Sequence, residues 1–217
     1  MDLLQTLRQT LIMFFLAFPM IIITLMGFFS LGTGNLGLFL LFVGQAIIVP
    51  AGVFIMNLVG RLLGPLAKVP ATDLNQLVPS VPKTGVEDSV FPSYWVAQTA
   101  FFFGYLFWNA YSLYGLEPVS DRPEDLWRVE NRKGRATMIM LSSMFFLLFM
   151  LGLRYTLTNA ERLPGVLLGA TAFGALAYGW QQAMASAGAK ASDVFGIVQQ
   201  MVPVVEDPNI TMCVPRA

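Results

Sequence analysis

No histidine occurs anywhere in this chain. That removes the usual axial ligand of b-type haem, most zinc and copper sites, and the commonest general base. Cysteine occurs once, at Cys213, so an intramolecular disulfide and a cysteine-ligated cluster are both excluded within one chain. An unmodified thiol is the expected state there. Charge is scarce as well: 12% of the residues, against about 25% in a typical soluble domain. Such a chain has too little charge to cover a water-facing surface. Its formal net charge is zero, so no basic field recruits nucleic acid and no acidic tail is present. There is no phosphate-binding glycine loop, no nucleophile beside a base, and no metal-ligand spacing. No catalytic, cofactor-binding or metal-ligating residue is expected, and the chain reads as a protein without enzymatic activity.

What is present in abundance is apolar sequence: 56% of the 217 residues are hydrophobic. A helix crosses a hydrocarbon layer of about 30 Å with roughly 20 residues, and the runs have that length. The reading is an all-α polytopic membrane protein of about five transmembrane helices (four to six). The spans are near 11–31, 36–59, 94–114, 137–153 and 165–187. They form one bundle over 1–190, and 191–217 is a polar to amphipathic C-terminal tail. The first run, 21 residues, exceeds the ~7–15 of a signal-peptide core and lacks a convincing cleavage site, so it reads as a retained helix. Pro19 inside it removes one backbone donor, a defect tolerated in membranes when a neighbour satisfies the freed carbonyl. Pro50 does the same in the second. Between them Gly32-Thr33-Gly34-Asn35 is turn chemistry, which makes the two spans an antiparallel hairpin.

Residues 60–92 carry five prolines, at 65, 70, 79, 82 and 92, which forbid a continuous helix. The first part, RLLGPLAKVP, suits the membrane interface. The rest reads as an irregular, water-exposed loop able to contact something outside the membrane.

The third span is aromatic and partly polar. At about 100° per residue, Tyr94, Gln98, Tyr105, Asn109 and Ser112 share a stripe about 60° wide. Ala97, Ala100 and Gly104 lie beside it, and Trp95, Phe103, Leu106 and Leu113 fall opposite, on the side expected to face lipid. A polar stripe of this kind either lines a substrate path or hydrogen-bonds neighbouring helices; the second is the commoner use, and Gln98, Gly104 and Asn109 are assigned to helix packing. Gly165 and Gly169 in span five, spaced i, i+4, are assigned to close helix approach for the same reason.

After the third span the chain turns sharply polar. Residues 117–136 hold ten of the 26 Lys, Arg, Asp and Glu residues. Asp121 to Glu124 resembles a helix start, and Glu124 and Arg128 stand i, i+4 on a short connector helix. Its carboxylates are interleaved with basic residues, which reads as a solvated surface rather than acid–base chemistry. Arg132, Lys133 and Arg135 precede span four, and Arg154 marks that span's far end. By the positive-inside tendency this cluster favours a cytoplasmic connector, with the N-terminus outside and the tail inside. Asn209-Ile210-Thr211 matches the N-glycosylation acceptor pattern, which requires the opposite, lumenal tail.

No ionisable residue falls inside the five predicted spans, which argues against a proton-coupled pump or transporter. The spans do not form two comparable halves either. The segments GNLGLFLLFVGQAIIVP (34–50), PSYWVAQTAFFFGYLFWNAYSLY (92–114) and RVENRKGRATMIM (128–140) resemble stretches of multispan membrane proteins of nucleocytoplasmic large DNA viruses, the phycodnavirus and mimivirus relatives. The resemblance covers about half the chain and carries over no functional residue. It implies a structural or assembly protein of the internal virion membrane, derived from host endoplasmic reticulum. Its partners would be membrane lipid and minor capsid proteins, reached through the loops, with a homo-oligomer a further option. Two other readings stand beside it. One is an accessory subunit of a large cellular membrane complex; the other is a channel or transporter with Gln98 and Asn109 lining a path.

Overall fold

The computed structural model describes residues 3–60, 69–70, 89–90, 92–115, 123–158, 163–188 and 194. Six α-helices account for nearly all of them. The first, α1 (Leu3–Thr33), turns back through Gly34, whose φ of 64° lies in the left-handed region that glycine enters without steric cost. Asn35 then caps the next helix, its side-chain oxygen accepting from the Leu38 N–H at 3.0 Å. That helix runs as α2 (Leu36–Val43), one π-helical turn (Gly44–Ile48) and α3 (Val49–Gly60). The π turn lies directly before Pro50, where the ladder must be broken in any case.

The ends of the long interhelical segment are joined by a two-residue antiparallel pairing, Val69 with Val90 and Pro70 with Ser89. The segment is thus closed at its base by a short ladder, where its second part was expected to be irregular. Its interior lies outside the described residues.

Ser93 caps α4 (Tyr94–Tyr114), accepting from the Val96 N–H at 3.2 Å. This is the central helix. Fourteen of its 21 residues are buried, and it packs along its length on α5 (Pro123–Thr158) and α6 (Leu163–Ser186), with α1 and α3 against its other sides. The side expected to face lipid is therefore corrected: Trp95, Phe103 and Leu113 are at most 8% exposed. They pack with Phe15, Met150, Leu151 and Val166 or within the helix bundle. Periodicity identifies the polar side of a helix, but not how much of the other side its neighbours cover; Leu106 stays partly exposed.

A second correction concerns the charged connector. It does not form a helix of its own. From Pro123 it continues without a break into the fourth apolar segment, giving one helix of 36 residues, about 54 Å long. No proline follows Pro123 within it, and Arg, Glu and Lys are good helix formers, so nothing stops the helix at the polarity change.

By length and composition, three helical stretches are able to cross a membrane: Leu36–Asn57, Glu130–Thr156 and Leu163–Ser186. Only 17% to 28% of each is buried inside the protein. Phe54, Met138, Leu141, Phe145, Leu148 and Leu167 are among the large apolar side chains left exposed on them. A shorter apolar stretch, Ala17–Thr33, belongs to α1. In the tail only Val194 is described; it is buried in the core, and its carbonyl accepts from Asn35 Nδ2 at 3.2 Å. The amphipathic segment of the tail, Asn209 and Cys213 lie outside the described residues.

Candidate functional site: the polar faces of the central helix

The polar groups of α4 meet the backbone defects of its neighbours. In α1, Pro19 has no N–H, so the carbonyl four residues earlier, on Phe15, loses its helical donor. Trp95 of α4 supplies one: its indole Nε1 donates to the Phe15 carbonyl at 3.1 Å. The rings of the two residues pack with centroids 4.8 Å apart.

The second proline is handled in the same way, one residue out of step. In a π turn the N–H of residue i bonds the carbonyl of i−5, and Val49 does so to Gly44. Pro50 therefore leaves the carbonyl of Gln45 without a donor. Gln98 Nε2 donates to that carbonyl at 2.7 Å, and also to the Tyr94 hydroxyl. Gln45 Nε2 returns a bond to the Gln98 carbonyl at 3.4 Å. Both glutamines are about 1% exposed. The polar pair acts as a clasp between α4 and the π turn.

At the other end of α4, Ser112 Oγ donates to the Asn109 carbonyl at 2.8 Å and accepts from Gln181 Nε2 of α6 at 3.1 Å. Trp180 Nε1 of α6 reaches the Leu40 carbonyl at 3.1 Å. The sequence-predicted stripe is therefore divided: Tyr94 and Gln98 belong to the π turn, Asn109 and Ser112 to the α6 side. Gln98 Oε1, Thr99 Oγ1, Tyr105 Oη and Gln181 Oε1 are buried without a hydrogen-bond partner among the described residues.

Small residues set the helix spacing. A Cβ built on Gly104 would stand 3.3 Å from Ala177 Cβ and 3.3 Å from the Gly174 backbone, so α4 and α6 touch there almost backbone to backbone. One on Gly169 would stand 2.8 Å from Pro92 Cβ, and Gly165 is buried one turn earlier on the same helix. Gly44 was not singled out from the sequence, yet a Cβ there would meet Trp180 Nε1 at 2.8 Å and Phe101 Cζ at 2.9 Å.

Arg154, expected at the far end of the fourth span, is a fully buried side chain, 0% exposed. Its guanidinium lies 5.2 Å from the Trp95 ring centroid, within cation–π range. One tryptophan thus serves α1 through its N–H and α5 through its ring.

Sequence reasoning assigned Gln98 and Asn109 but missed Gln45, Trp180, Trp95 as a donor, and Arg154. A signal existed for one of them: Gln45 is the residue whose carbonyl a π turn before Pro50 would free. Nothing in the sequence identified the two tryptophans as donors. Among the described residues no three His, Cys, Asp or Glu side chains converge on a metal-sized site. Comparison with family models, curated proteins and solved structures finds no match for this chain.

Proposed function

We propose that this protein is a structural, non-enzymatic component of a lipid membrane, built to hold a rigid helical arm at the membrane surface. The observation that carries the reading is α5: one unbroken helix whose first 13 residues, 123–135, are rich in charge and whose remainder is apolar. At about 1.5 Å per residue the polar part extends about 20 Å beyond the apolar part. A helix anchored this way presents charge to a water-soluble partner at fixed distance. The resemblance noted above makes that membrane the internal one of a large DNA virus and the partner a minor capsid protein.

The bundle itself is read as five spans, with α1 and α4 added to the three apolar ones. The central helix is too polar to enter lipid alone, but Trp95, Gln98 and Ser112 hydrogen-bond its neighbours. That use of Gln98 weighs against a channel. Helix ends agree with an up-and-down order: the Asn35–Val194 bond joins two segments that five crossings put on one side. On the same side lies the charged arm.

The test is mild detergent extraction from the native source with mass spectrometry of co-purifying proteins. Capsid proteins in fixed stoichiometry, lost when Lys133 and Arg135 are changed to Glu, support the reading. Recovery with cofactor-bearing subunits of a cellular complex replaces it with the accessory-subunit reading.

A further inference from the structure

Where the charged arm becomes apolar, α4 and α5 do not close on each other. A groove of about 270 Å³ remains, walled by Phe103 and Leu106 of α4 and by Met138, Ile139, Ser142 and Phe146 of α5. It is open along one side and predominantly apolar. From Met138 to Phe146 the helix rises about 12 Å, close to the roughly 15 Å depth of one leaflet's hydrocarbon.

Directly above it stands Arg135. The series 135, 138/139, 142, 146 follows the helical repeat, so Arg135 heads the stripe that lines the groove, one turn nearer water. Its side chain is exposed. Arg132 lies one turn above Arg135 on α5, whereas Lys133, whose ammonium stands 5.7 Å from the Tyr114 ring centroid, lies about 160° around the helix from it. Glu130, an exposed carboxylate in this part of the arm, lies about 140° around the helix from Arg135. It does not share the groove side with Arg135.

We infer that this groove is a site for one anionic glycerophospholipid, an acyl chain lying between α4 and α5 and the phosphate on Arg135. The chemistry is specific on both counts. An apolar slot one leaflet deep takes a single chain, and a guanidinium at headgroup level binds a phosphate through paired N–H groups. A zwitterionic lipid would fill the slot equally well but gains less from the arm, because its own ammonium offsets the phosphate. The inference rests on α5 crossing the membrane as proposed above.

The experiment uses the full chain, purified and exchanged into an equimolar mixture of phosphatidylglycerol and phosphatidylcholine, with bound lipid counted by native mass spectrometry. One phosphatidylglycerol per chain is expected, about fivefold over phosphatidylcholine, the factor expected for one cation at the surface. Arg135→Gln should bring the two lipids to parity while retaining a bound chain. Ser142→Phe, which fills the slot, should remove both. Equal retention by the unaltered protein overturns the assignment, as does a preference unchanged in Arg135→Gln. So does displacement by millimolar inorganic phosphate, which would make the site a free-anion site. A dimer lost in Ser142→Phe would give the groove to a second copy instead. Resistance of the unaltered chain to alkaline carbonate extraction separates the two failures: an extracted protein sinks the membrane reading, whereas a retained one without lipid preference sinks only this site.

Discussion

At the scale of single residues, the bundle is held by side chains that replace missing backbone donors. Trp95 is the clearest case, because its N–H answers a defect created by Pro19. Removing that N–H by Trp95→Phe leaves the Phe15 carbonyl buried and unpaired, at a cost of about 1 kcal/mol. In a Pro19→Ala background the helix regains its own donor, so the same substitution should lose much of its penalty. A double-mutant cycle by reversible unfolding in detergent measures this; equal penalties in both backgrounds would show that only the ring matters. Tyr105 makes the opposite case. Its hydroxyl is buried with no partner among the described residues, so Tyr105→Phe should be neutral or stabilising by up to about 1 kcal/mol. Half of this logic is legible in the sequence. A proline inside an apolar run announces that carbonyl i−4 needs a donor, but the donor arrives from a residue 80 positions away in the chain. Only the packed fold brings Trp95 there.

At the scale of elements, hydrophobic runs and turn residues set out most helices in the sequence. Two properties needed neighbours. The aromatic face of α4 looks like a lipid face because Trp, Phe and Leu serve equally well against lipid and against other helices. Whether such a face is covered depends on how many helices surround it. The union of connector and fourth span was obscured by polarity: charge suggests a boundary, yet helix propensity ignores the boundary between water and lipid. Glycines divide in a testable way. A Cβ at Gly169 or Gly44 collides at under 3.0 Å, whereas one at Gly179 meets nothing within 4 Å. Gly169→Ala and Gly44→Ala should therefore lower the unfolding midpoint. Gly179→Ala should be neutral or raise stability by up to about 1 kcal/mol through helix propensity. A ranking in which Gly179→Ala is the most damaging would contradict the α4–α6 packing described here.

At the scale of the whole molecule, the question is how many helices cross the membrane, and connectivity makes the alternatives distinguishable. Leu36–Asn57, Glu130–Thr156 and Leu163–Ser186 are apolar enough to cross by themselves. If only they did, the turn at Gly34 would lie on one side and the arm before Ala136, with the segment after α6, on the other. If α1 and α4 cross too, five passages in alternating direction put the 32–35 turn, the arm and the segment after α6 on one side, and the β-paired base of the long loop on the other. The hydrogen bond from Asn35 to Val194 agrees with that order. Central burial gives the physical reason α4 can cross despite its polarity: Gln98, Asn109 and Tyr105 are shielded by protein, so lipid never meets them. With Cys213 changed to Ser, single cysteines at Thr33, Glu130 and Ser89 report the sides directly. A membrane-impermeant maleimide applied to one face of sealed vesicles should label Thr33→Cys and Glu130→Cys together and leave Ser89→Cys protected. Labelling of Glu130→Cys with Ser89→Cys from one face would mean that α4 does not cross. The central helix would then need a water-facing surface, which its burial by α5 and α6 does not give it.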